Sequence, residues 1–112
     1  MFTNSSCTIF RKGIDTKTRL PTWDAVNIDA VYWEDGAGQT LVSNQNGSHE
    51  MKQNNNVFVI IPKAYLPEIQ PKKGDLIARG INADMSNAHT VMNVEGFLYG
   101  SEDVQHIEVT AV

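Results

Sequence analysis

Cysteine is almost missing from this chain of 112 residues; there is one, Cys7. A single cysteine cannot close an internal disulfide, so the fold does not depend on an oxidising compartment. Long apolar runs are missing too. The longest, residues 57–61, ends at Pro62 and falls far short of the ~20 residues that cross a bilayer as a helix. Met1-Phe2-Thr3-Asn4 shows neither the basic segment nor the apolar stretch of a secretory signal, so a soluble protein used without export is expected. Positive charge is in deficit: nine Lys and Arg stand against thirteen Asp and Glu, for a net charge of −4. That sum argues against a module that wraps nucleic-acid backbone, where cations supply much of the affinity. A local basic patch is still open, because Lys12, Lys17 and Arg19 lie close in sequence, as do Lys72 and Lys73.

What is present is an ordinary globular composition, 41% apolar and 20% charged, which excludes a disordered or fibrous chain. The length suits one domain, 1–112, large enough to bury a core without staples. Gly74-Asp75-Leu76-Ile77-Ala78-Arg79-Gly80 reads as a central strand between two glycines, entered from the turn Pro71-Lys72-Lys73. Before it come a short strand at 8–12, a turn at 13–18, and the longest strand candidate at 24–34. In that strand Val26, Ile28, Ala30 and Tyr32 fall on one face. Asp35-Gly36-Ala37-Gly38 is a hairpin loop and 39–43 the returning strand. Residues 44–54 carry one apolar side chain and read as a long surface loop of the kind that serves binding. Residues 55–61 are the most β-prone segment. The prolines at 62, 67 and 71 predict a shaped crossing, and 82–89 is the one window for a helical turn. Strands at 90–98 and 104–109 finish the chain. About seven mostly antiparallel strands with long loops predict an all-β fold, a small β-barrel or sandwich.

Catalytic and metal signatures are scarce. His49, His89 and His106 are too far apart in sequence for a zinc pattern, and no serine sits in a nucleophile elbow. Gly36-Ala37-Gly38 lacks the third glycine and following helix of a phosphate-binding turn. Cys7 alternates with polar residues as a buried filler, and His106 can pair with Glu108 on one strand face. The expectation is no enzyme, no cofactor and no metal. Among the aromatics, Trp33 and Phe58 are expected in the core, while Trp23 and Tyr65, beside prolines, are candidates for an exposed contact that takes a glycan or peptide.

The order of motifs resembles a family of small phage and prophage proteins of Gram-positive bacteria, assigned as minor capsid or head–tail connector proteins. The matching stretches are Thr8-Ile9-Phe10-Arg11-Lys12, the turn Asp15 to Thr18-Arg19, and Val31-Tyr32-Trp33-Glu34-Asp35. Val57-Phe58-Val59-Ile60-Ile61-Pro62, Lys73 with Gly74 through Gly80, and Gln105-His106-Ile107-Glu108-Val109 complete the series. The resemblance implies a structural protein of the virion neck, made in the bacterial cytoplasm. Its partners would be portal or adaptor above and tail proteins below. It would act as a subunit of a homo-oligomeric ring through which DNA passes without specific binding, with no membrane involved. The contact residues expected on this reading are Asn44, Gln45, Asn46, His49, Glu50 and Lys52 of the polar tract, with Trp23 and Tyr65.

Overall fold

The computed structural model describes residues 2–36, 40–43, 49–52 and 56–112; of 40–43 and 49–52 it describes the backbone. Its strands are β1 Ser5–Ile14, β2 Pro21–Asp35, β3 Thr40–Ser43 and β4 His49–Lys52, followed by β5 Val57–Pro62, β6 Leu76–Arg79, β7 His89–Phe97 and β8 His106–Ala111. Six of these close on themselves in the order β1-β2-β5-β8-β7-β6, and every neighbouring pair is antiparallel. β3 and β4 pair with each other, apart from that ring. The protein is all-β. Two short 3-10 turns, Lys63–Tyr65 and Met85–Asn87, are the helical elements among the described residues.

Two long strands make the closure possible. The first part of β2 pairs with β1, and Tyr32–Asp35 then pair with β5. β7 gives His89 and Thr90 to β6 and pairs with β8 from Val91 onward. Inside the ring the core is dominated by β-branched side chains, with Ile9, Val59, Ile61, Ile77, Val91, Ile107 and Val109 almost fully buried. Such residues fill a pleated surface well, and each contributes roughly 1.5–3 kcal/mol on leaving water. β8 alternates as its sequence predicts, with Ile107, Val109 and Ala111 buried.

The face assignment in β2 needs correction. Ile28 is buried as expected, but the next inward residues are Val31 and Trp33, not Ala30 and Tyr32. The cause is a bulge: Ser5 faces Val31 while Cys7 faces Ile28, so three steps along β2 match two along β1. One extra residue reverses which parity points inward. Asn4 covers the break. Its side chain accepts the Trp33 N–H at 2.8 Å and donates to the Trp33 carbonyl at 3.0 Å. Phe58 is a second correction; it lies half-buried on the face opposite Val57 and Val59.

The polar tract is the third correction. Its second half is not loop: His49–Lys52 form β4, paired residue for residue with β3 from Ser43↔His49 to Thr40↔Lys52. Strand pairing uses backbone groups, so a polar segment can join a ladder when an apolar neighbour such as Leu41-Val42 supplies the partner. Residues 44–46, also expected at a contact, lie outside the described residues.

Candidate functional site

β1 and β2 outrun the ring. β6 pairs with β1 at Cys7–Phe10, whereas β1 and β2 go on pairing from Arg11↔Asp24 to Ile14↔Pro21. The result is a two-stranded arm with Ile14 and Leu20 well exposed at its end. Its turn is built locally. Asp15 Oδ1 accepts the Lys17 N–H at 2.8 Å, and the Arg19 N–H donates to the Asp15 carbonyl at 2.7 Å. Arg19 takes a positive φ of 58°, a conformation few non-glycine residues adopt, to complete the reversal. Gly13 is needed for a different reason: a Cβ there would sit 2.9 Å from Thr22 Oγ1.

The turn before β6 lies against this arm. Asp75 is buried, and its two carboxylate oxygens accept the Lys12 N–H at 3.2 Å and the Lys72 N–H at 3.0 Å. Lys12 thereby joins Lys72 and Lys73, sixty and sixty-one positions away in sequence, around a hollow of about 220 Å³. A neighbouring hollow of about 250 Å³ adds Arg11, Asp24, Ile69 and Gln70. Along the sequence the two basic groups are separate. Nothing in the chain near either group signals that a buried aspartate ties one to the other.

A larger cleft, about 630 Å³, opens near the start of β1, lined by Thr3, Pro62, Lys63, Ala64, Tyr65, Glu102 and Asp103. Tyr65 is 44% exposed there, and Lys63 Nζ lies 3.6 Å from Glu102 Oε1. Next to Pro62 in the ladder, His106 stacks on Phe97 with ring centroids 5.1 Å apart. Its Nδ1 faces the Val104 carbonyl at 2.7 Å and its Nε2 faces Glu108 Oε2 at 3.0 Å. Both ring nitrogens are thus engaged. This histidine has no free nitrogen to draw a proton from a nucleophile, and the expected His106–Glu108 pair is a structural one.

Tyr65 therefore lines an open cleft and is exposed. Trp23 is within β2, not in the connection before it, partly buried opposite Lys12 on the arm. Thr3, two residues before β1, lines the Tyr65 cleft, and Lys12 lies nine residues further along the chain, within β1. At about 3.3 Å per residue that is roughly 30 Å, so Trp23 and Tyr65 do not form one platform. His49, Glu50 and Lys52 lie on β4, of which the backbone is described.

Cys7 is fully buried in the core, and burial pushes its thiol up to about 12, the condition of an inert filler. Asp84 caps the second 3-10 turn, and its carboxyl is held below the usual range by the Ser86 backbone N–H at 2.9 Å. Among the described residues no three His, Cys, Asp or Glu side chains gather as metal ligands, and no helix is long and apolar enough to cross a membrane. Among the described residues, the arm carries cations and the cleft carries carboxylates. No curated protein and no solved structure matches this chain. A family model does, over residues 2–112, and the chain belongs to that family, described as a family of unknown function (DUF6751).

Proposed function

We propose that this protein is a structural subunit of a phage neck, a head–tail connector or head-completion protein that assembles as a ring between portal and tail. In this reading the six closed strands are a small β-barrel. The order of sequence motifs set out above suggests the role, and the observation that carries it is the division of labour in the chain. A strand ring bonded on all sides supplies a rigid body, while the β1–β2 arm and the Tyr65 cleft stand away from each other as contact regions. Two unlike surfaces on one subunit are what a heterologous, head-to-tail ring requires. The protein acts without catalysis or cofactor, and DNA passes through the ring without being read.

The other reading is a free-standing module that binds a glycan or peptide through Trp23 and Tyr65. Trp23 lies opposite Lys12 on the arm and Tyr65 lines the cleft that reaches Thr3, and this separation counts against a shared platform. Deleting residues 44–54 tests the connector reading. The expected result is a chain that still shows β-type circular dichroism but yields filled heads without joined tails. Normal infectious particles from the deletion would overturn it.

A further inference from the structure

We propose that the basic β1–β2 arm of one copy docks on the acidic cleft of a second copy of this chain. The proposal rests on the ring-subunit reading and names the surfaces by which its subunits meet.

The charge distribution carries it. Arg11, Lys12, Lys17, Arg19, Lys72 and Lys73, six of the nine Lys and Arg, lie on the arm or in the turn tied to it by Asp75. The ion pairs found among the described residues use Lys63, Arg79 and His106, and none of these six. Of the carboxylates in this region, Asp75 is held by two backbone N–H groups and Asp15 by the Lys17 and Thr18 N–H groups. With Asp24, the arm and this turn hold three carboxylates against six cations. In a chain of net charge −4, this region is locally positive.

The cleft region is the converse. Glu102 and Asp103 line it, with Lys63 as the cation beside them. Adjoining it through His106, Glu108 stands directly opposite Glu95 in the β8–β7 ladder. Like charges facing each other across strands are destabilising. A cation brought in from outside relieves them, and His106 reaches one of the pair.

A copy cannot satisfy itself. The cleft reaches Thr3, two residues before β1, and the cations stand at Arg11 and Lys12 towards the other end of that strand, so roughly 25–30 Å of largely extended chain, fixed between β2 and β6, separates the two regions. Complementary patches at the two ends of one body pair between copies, and repetition of that contact closes a ring when its rotation allows. The exposed Ile14 and Leu20 at the arm's end add apolar area to the contact.

The test is sedimentation velocity on the full chain over a wide concentration range, in low salt and in about 1 M salt, where the Debye length is about 3 Å. Two charge-reversed variants are compared: K12E with K73E on the arm, and E102K with D103K in the cleft. Wild type is expected to self-associate in low salt and to weaken in high salt. Each variant should lose at least about tenfold in association constant, and an equimolar mixture of the two should regain it, because each then offers what the other lacks. Recovery in the mixture also shows that neither variant is misfolded. A wild type that stays monomeric in low salt, association indifferent to both reversals, or loss without recovery in the mixture overturns the contact. So does an arm reversal that abolishes retention of double-stranded DNA and leaves self-association unchanged, which makes the patch a nucleic-acid surface. Salt-insensitive rings indifferent to both variants overturn this contact while leaving the ring-subunit reading in place. Absence of the chain from purified particles overturns that reading itself.

Discussion

Asp75 holds Lys12 by its backbone. The carboxylate sits buried where β6 begins, and its Oδ1 accepts the Lys12 N–H from a strand sixty-three positions earlier in the chain. The other oxygen takes the Lys72 N–H, so one side chain ties the base of the arm to the turn beside it. The aspartate fills a structural post and leaves both lysine side chains exposed to solvent.

Replacing Asp75 with Asn tests that post. The amide keeps one acceptor and turns an N–H₂ toward the second backbone donor, which is then buried without a partner. Stability should fall by about 1–3 kcal/mol. Urea denaturation with an unchanged m value would show it, and a variant as stable as wild type would contradict the clamp.

Thr8 is the corresponding post at the other end of β6. Its hydroxyl donates to the Gly80 carbonyl at 2.7 Å and accepts the Ala83 N–H at 3.1 Å, fully buried. Thr8→Val keeps the shape and removes both bonds, together with the contact of the hydroxyl to Asn27 Oδ1 at 3.0 Å. The expected loss is again about 1–3 kcal/mol, read from the midpoint of thermal or urea unfolding. Amide exchange at Ala83 should quicken in the variant.

The Cys7 thiol, buried and pushed up to about 12, should not react with a disulfide reagent at mildly alkaline pH while the protein is folded. It should react fully once the protein is unfolded. Rapid labelling of the native chain would place the thiol outside the core.

Asp84 gives a pH dependence of known sign. Its carboxyl is held below its ordinary value by the Ser86 backbone N–H first and the Ser86 side chain second. A folded value below the unfolded one means the contribution is complete above the ordinary carboxylate range. It is lost as pH falls through the lowered folded value. The Asp84→Asn variant should therefore show a flatter acid limb in its stability curve, and an NMR titration of the Asp84 carboxyl should place it low.

How much of this was legible beforehand depended on range. Local signals worked: the alternation of β8, the turn chemistry at Asp15, the burial of Cys7 and Trp33, and the His106–Glu108 pair all follow from neighbours along the chain. Features that depend on a partner strand did not. The bulge opposite Ser5 reversed the faces of β2, and no pattern within β2 could announce it. β4 took its strand form from β3. The basic region stayed hidden because its halves, at Arg11-Lys12 and Lys72-Lys73, are brought together by Asp75 and by the Phe10↔Leu76 pairing of β1 with β6.

Electron cryomicroscopy of particles purified from the organism that carries this gene tests the proposed neck role most directly. The account predicts a closed ring of copies of this chain between head and tail, with the six-stranded body fitting each unit of density. Particles with no density for the chain, or from which it is absent by mass spectrometry, would contradict it.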